Sequence, residues 1–339
     1  MIKKIAGTFA FFFMGFVLFL GLRELLGPDE EYSEMMFQGF YDTPDNTLDA
    51  VFIGNSHTYK FWQGAFAWEE LGIATSEVAT SSMPGSTMKN VAIEVLKTQK
   101  PKVLVMDITP FANIDKENNK VHLLIDNMKF SMNYLDMIEN YCKYTGVTGM
   151  EKMQFYLPII QFHPRWKELT EKDFTQTRPS YINSNYQSKF MKKKQKEKTE
   201  HTSTEEREKI GENNEAALRE FLEWCTQQEV PVQFVAVPIL REKNLAKINY
   251  AGDIVKEYGV EFVDCNEEDM FESFGFDIKT DFEDINHTNV KGSFKFTKVY
   301  GEYLMKNYGL KDRRGEAEYA SWDEKAEEYY AIVGKYLNK

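Results

Sequence analysis

The chain has 339 residues, 42% of them hydrophobic, enough to bury one large core or two smaller ones. Its formal net charge of -12 argues against nucleic acid as a partner. The three cysteines, Cys142, Cys225 and Cys265, are odd in number and widely spaced. They make neither a disulfide framework nor a zinc pattern, and Cys225 and Cys265 lie in apolar contexts that suit buried thiols.

Ile5 to Leu22 is uncharged and rich in Phe, and it reaches the lower end of the roughly 17–25 residues that a membrane-spanning helix needs. Lys3 and Lys4 precede it and Asp29, Glu30 and Glu31 follow, which predicts a cytoplasmic N-terminus and an exported remainder. No small-x-small cleavage site stands before Gly27-Pro28, so residues 1–27 are expected to form an uncleaved single-pass anchor in the cell membrane. Residues 28–47 are acidic, then aromatic, and end in Pro44-Asp45-Asn46, which reads as a spacer.

A domain is expected to open at Leu48. The apolar run Ala50 to Ile53 looks like a buried parallel strand that stops at Gly54, where the backbone can turn sharply. Ser56 then stands at the strand's carboxyl end, where open α/β sheets bind ligands. Asn55, Ser56 and His57 are equally the residue types that cap a following helix. A helix is expected near Phe61 to Leu71, then a loop from Ser81 to Thr87. Met88, Val91, Ala92, Val95 and Leu96 follow at helical spacing. Gly85 precedes that helix, either to let a backbone N–H approach an anion or simply to make a turn. Val103 to Ile108 is the clearest buried strand in the chain.

Residues 118–198 read as an insertion with helices near His122 to Tyr141 and Met150 to Gln161. Its most distinctive stretch is Phe162-His163-Pro164-Arg165-Trp166. An Arg beside a Trp can grip a carboxylate or phosphate while the indole stacks on a sugar, but Pro164 can equally end an element and Trp166 fill core. Lys192 to Lys198 is basic and reads as a solvated loop. The α/β alternation resumes with a helix over Asn213 to Gln228, a strand over Val232 to Val237, a helix over Lys247 to Tyr258 and a strand over Val260 to Val263, which implies a parallel sheet. After a helix from Val290 to Asn307, residues 312–339 form a charged helix expected to pack outside the core or to reach toward a partner. No repeat and no nucleotide-binding glycine fingerprint appears.

Asp284 and His287, three apart on one loop, allow the carboxylate to orient the imidazole. With Ser56 they make a candidate triad of nucleophile, base and orienting acid.

Gly54-Asn55-Ser56-His57 and Asp284-Ile285-Asn286-His287 resemble the first and last sequence blocks of the SGNH (GDSL-like) hydrolase superfamily. The closest resemblance is to its membrane-anchored branch, which includes the D-alanyl-lipoteichoic acid transfer protein and the alginate-type O-acetyltransferases. The resemblance runs in outline from Leu48 to Asn307. It implies a three-layer α/β/α sandwich with a parallel sheet, of the SGNH-hydrolase and flavodoxin-like kind, over residues 48–311, with the helical insertion between the third and fourth strands. It also implies that Ser56 is the nucleophile, His287 the base and Asp284 its orienting acid. The backbone N–H groups of Ser56 and Gly85 would stabilise the oxyanion.

One departure stands out. The superfamily follows its third strand with Gly-x-Asn-Asp, whose Asn is a further oxyanion donor, whereas this chain reads Asp107-Ile108-Thr109-Pro110. Thr109 is nearest the missing Asn, and Asn113 is an alternative donor; losing one such donor costs about 10²–10³ in rate. His57 adjoins the nucleophile and, with Arg165, His163 and Trp166, is a candidate substrate contact. No metal or cofactor is expected.

The resemblance implies an exported O-acyltransferase for a cell-envelope polysaccharide or teichoic-acid-like polymer, served by a multispanning membrane O-acyltransferase. A carbohydrate esterase would use the same residues, and the missing Asn admits an inactive adaptor that binds glycan or a partner.

Overall fold

The structure, a computed structural model, describes residues 2–26, 37, 39–112, 118–174, 200–240 and 242–337. The chain is α/β. Five strands form one parallel sheet in the order β2-β1-β3-β4-β5, and most other described residues are helical. The strands are β1 (Ala50–Gly54), β2 (Thr75–Ala79), β3 (Val103–Asp107), β4 (Val232–Ala236) and β5 (Glu261–Asp264). Four of them fall on the apolar runs of the sequence. The exception, β2, carries Thr75, Ser76 and Glu77, all fully buried. Their polarity is used locally: Thr75 Oγ1 accepts from Trp62 Nε1 at 2.9 Å and Glu77 Oε1 from the Gly64 N–H at 2.9 Å. A strand whose side chains serve the start of a neighbouring helix has no apolar run to announce it.

Along the central strands successive side chains alternate between two hydrophobic clusters. Val51, Ile53, Leu104, Met106, Phe234 and Ala236 belong to one, while Ala50, Phe52, Val103, Val105 and Val235 belong to the other. Burial on both faces is why these strands read as continuous rather than alternating apolar runs. The first cluster takes in residues of helices Met88–Leu96, Met132–Thr145, Glu212–Cys225 and Glu242–Glu257; the second takes in Phe296, Tyr300 and Leu304 of helix Val290–Tyr308. Cys142, Cys225 and Cys265 are all free and buried.

Three sequence expectations need correction. The presumed spacer contributes to the domain, because Phe37 and Phe40 are buried in the first cluster. The charged tail does not pack outside the core: Trp322, Ala326, Tyr329 and Val333, three or four residues apart, line one face of helix Ala320–Leu337 and bury in that same cluster. Trp68 Nε1 donates to Asp323 Oδ1 at 2.9 Å and Tyr329 Oη to Gln63 Oε1 at 2.7 Å, which fixes the tail to the first third of the chain. The helix expected near Phe61 to Leu71 is two, Ser56–Phe61 and Gly64–Leu71, separated where the Gln63 N–H donates to Thr297 Oγ1 at 3.0 Å.

Ahead of the domain stands helix Ile2–Leu25, whose stretch Ile5–Leu22 is long and apolar enough to cross a membrane. None of that stretch is buried against the rest of the chain.

Candidate active site

The site begins with the way β1 ends. A Cβ on Gly54 would lie 2.2 Å from Thr58 Oγ1 and 2.4 Å from Asp107 Cβ, so only glycine lets helix Ser56–Phe61 start this close to β3. Asn55 takes the capping role: its side-chain oxygen accepts from the His57 N–H at 2.9 Å. Ser56 is thereby left with its hydroxyl uncommitted to the cap. It sits at the carboxyl end of β1, whose chain neighbours β2 and β3 lie on opposite sides of it, the topological switch point at which open α/β sheets take ligands.

The second half of the site is a loop closed on itself. An isolated bridge pairs Phe282 with Thr288, the Glu283 N–H donates to the His287 carbonyl at 2.9 Å, and the Asn289 N–H donates to the Asp281 carbonyl at 2.9 Å. Asn289 then caps helix Val290–Tyr308 by accepting from the N–H groups of Lys291 and Gly292. A Cβ on Gly292 would fall 2.2 Å from the Asp281 carbonyl oxygen, so the tightness of the loop requires that glycine.

Several ties hold this loop and its helix against helix Ser56–Phe61. Thr288 Oγ1 donates to the Lys60 carbonyl, Thr297 Oγ1 donates to the Phe61 carbonyl at 3.3 Å, and Lys60 Nζ pairs with Glu283 Oε1 at 3.0 Å. Ser56 and His287, 231 positions apart, consequently meet: Ser56 Oγ lies 2.9 Å from His287 Nε2. His287 Nδ1 lies 3.0 and 3.1 Å from the two Asp284 carboxylate oxygens, and Asp284 Oδ1 also accepts from the N–H groups of Asn286 (2.8 Å) and His287 (3.1 Å). A carboxylate can only accept, so the proton of the neutral ring sits on Nδ1 and Nε2 is left to accept from Ser56. That is the polarity a general base needs toward a hydroxyl nucleophile. Glu283, Asp284 and His287 converge within 4.8 Å, yet Glu283 is the partner of Lys60 and Asp284 the partner of His287.

Beneath Ser56 lies a buried polar network that the sequence did not announce. Asp107, at the end of β3, accepts from the Thr109 N–H at 2.9 Å and from Thr109 Oγ1 at 2.7 and 2.8 Å. Thr109 Oγ1 in turn accepts from Asn55 Nδ2 at 3.1 Å, and Asn55 Oδ1 lies 2.8 Å from His57 Nδ1. Both donors of Thr109 are therefore spent on Asp107, and neither is directed at a bound acyl group. Asn55 Oδ1 can only accept, so His57 carries its proton on Nδ1, and its Nε2 is a buried acceptor without a hydrogen-bond partner. The His57 and His287 rings lie 5.2 Å apart.

Two of these groups titrate abnormally, in opposite senses. Burial, with His287 nearby, pushes the His57 imidazole down to about 3, and burial pushes the Asp107 carboxyl up to about 6 against the hydrogen bonds from Thr109 and Asn55. For His57 the folded state prefers the neutral ring, so its contribution to stability is present above pH 6.5 and is lost as pH falls toward 3. For Asp107 the folded state prefers the protonated acid, so its contribution is present below pH 3.8 and is lost as pH rises toward 6. Each slope approaches about 1.4 kcal/mol per pH unit, and between pH 4 and 6 they oppose each other. Denaturant melts across that window should therefore show His57→Gln gaining stability relative to wild type as pH falls, and Asp107→Asn losing it. Parallel curves for all three proteins would mean that neither group is held as described.

Gly85 opens a single 3-10 turn, Gly85–Thr87, and a Cβ there would lie 2.7 Å from the Phe111 ring, so close packing alone requires a glycine. Asn113 lies outside the described residues, as does the basic run Lys192 to Lys198. Arg165, His163 and Trp166 are not part of the hydrogen-bond chain through Ser56. Arg165 donates to the Leu25 carbonyl at 2.9 Å and pairs with Asp173; His163 Nδ1 lies 2.9 Å from the Ile160 carbonyl, and Trp166 is exposed. Neither the Lys60–Glu283 pair nor the Asp107 network has a local pattern in the sequence. The one available signal was an acid ending the most apolar strand.

No family model matches the chain, and no curated protein matches it.

Proposed function

We propose that the chain is a membrane-anchored, exported serine acyltransferase of SGNH type, built as a three-layer α/β/α sandwich and acting on a cell-envelope polysaccharide or teichoic-acid-like polymer. The observation that carries this is the continuous chain Ser56–His287–Asp284, whose contacts of 2.9 and 3.0 Å suit attack by the Ser56 hydroxyl. The strand order β2-β1-β3-β4-β5, which is the flavodoxin-like order, supports the fold reading. The apolar helix Ile5–Leu22 behind Lys3 and Lys4 supports the anchor, with the N-terminus cytoplasmic and the domain outside.

In the reaction, Ser56 Oγ attacks the acyl carbonyl while His287 Nε2 takes its proton. Asp284 holds the resulting imidazolium, and His287 returns the proton to the departing oxygen or sulfur, leaving an ester on Ser56. A sugar or polyol hydroxyl then attacks that ester, losing its proton to His287, and Ser56 is regenerated. The backbone N–H groups of Ser56 and Gly85 face the oxyanion in this scheme, and a multispanning membrane O-acyltransferase supplies the acyl group. With water as acceptor the same steps make an esterase.

Incubation with a serine-directed phosphonate, followed by mass mapping, should place the adduct on Ser56. Adding a glycan acceptor to acylated enzyme should then move the acyl group to the glycan faster than it appears as free acid. An adduct elsewhere removes the serine mechanism, and release only as free acid turns the reading to esterase. Intact chain should also remain with membranes through a high-salt wash, its domain open to external protease; recovery as soluble protein starting near residue 28 would overturn the anchor.

A further inference from the structure

The segment Phe162 to Trp166 meets the N-terminal helix rather than the triad. That helix ends at Leu25, and its last carbonyls have no partner within the helix. Arg165 Nη1 donates to the Leu25 carbonyl at 2.9 Å while Nη2 of the same guanidinium pairs with Asp173. One side chain thus joins the helix end to the 3-10 turns His163–Lys167 and Glu171–Phe174, and its charge answers the negative pole of the helix. Toward that end exposure gives way to burial, from exposed Val17 and Leu18 in the helix to buried Leu26 just past it.

Each member of the Arg165–Asp173 pair is followed by an aromatic that the protein leaves uncovered: Trp166 is 63% exposed and Phe174 67%. Lys167 Nζ lies over the Trp166 ring, 5.6 Å from its centroid. An indole with a lysine beside it, next to the end of an apolar span, suits the boundary between hydrocarbon and headgroups, where the ring is half buried and the ammonium reaches water. Because Asp173 already neutralises Arg165, attraction to anionic lipid is not what would hold this surface.

We propose that Trp166 and Phe174 insert into the phospholipid interface around the end of the N-terminal helix, seating the insertion on the membrane instead of leaving the domain on a free tether. This rests on the helix spanning a bilayer. The occupant is the glycerol and upper acyl region of ordinary phospholipid.

Full-length protein reconstituted in phosphatidylcholine vesicles tests it. Of the other four tryptophans, Trp62, Trp68 and Trp322 are buried and Trp224 is partly buried; all four are common to both proteins, so the emission difference between wild type and Trp166→Phe isolates Trp166. A spin label high on the lipid acyl chain should remove most of that difference emission, aqueous iodide should remove little, and adding anionic lipid should change neither. Quenching by iodide but not by the lipid label, in protein that still floats with vesicles after alkaline wash, overturns the seating while leaving the anchor intact, and points to a protein partner for this surface. Protein that does not float with the vesicles overturns the spanning helix and the seating together.

Discussion

Ser56→Ala is expected to lower turnover of small acyl esters by about 10⁴-fold or more, with His287→Ala doing the same and the double variant losing no more than either single one. Nucleophile and base act as one unit here, because the proton that Ser56 gives up has one acceptor, His287 Nε2, at 2.9 Å. Asp284→Asn should cost nearly as much, about 10⁴-fold, since an amide at that position can present an N–H to Nδ1 and drive the ring proton onto Nε2. Ser56 is only partly buried, so its replacement should leave thermal stability within about 1 kcal/mol of wild type. Rates on a reporter ester, measured beside melting curves for all four variants, give the answer. A loss below about tenfold in Ser56→Ala, or multiplicative losses in the double variant, would mean that the triad is not the reacting unit.

The second large effect concerns the ion pair that ties the two halves of the site. Lys60 and Glu283 are both nearly buried, with side chains 9% and 4% exposed, and burial raises the Glu283 carboxyl above its ordinary range despite Lys60. Lys60→Met should destabilise the fold by about 3–5 kcal/mol, because it leaves a buried carboxylate without its cation. Glu283→Leu should do likewise by stranding the ammonium. The double replacement by apolar residues of similar volume should recover most of that loss, coming within about 1 kcal/mol of wild type, since neither charge then has to leave water. Chemical denaturation of the three variants tests this as a double-mutant cycle. Simple addition of the two single costs would show that the pair is not coupled.

Sequence alone determined the parts of the protein whose causes are local. The apolar runs Ala50 to Ile53, Val103 to Ile108 and Val232 to Val237 can bury both faces only in the middle of a sheet, and β1, β3 and β4 lie there. Asp284 and His287 sit three apart on one loop, so their contact needed no long-range information. The apolar helix at the N-terminus declared itself through length and the absence of charge.

What the tertiary structure decided are the features that depend on distant partners. Strand β2 forms by pairing with β1, and its buried polar side chains Thr75 and Glu77 are answered by Trp62 and Gly64. The charged tail enters the core because Trp322 and Tyr329 find Trp68 and Gln63 more than 250 positions earlier. Arg165, which its neighbours marked for substrate, is held by Leu25 and Asp173. Thr109, which its place after β3 marked for an oxyanion, gives both its donors to Asp107. A hydrogen-bonding side chain has more than one possible partner, and its sequence neighbours do not say which will be within reach. That choice is made only when the sheet brings the ends of β1 and β3 together and places the His287 loop against the helix of Ser56.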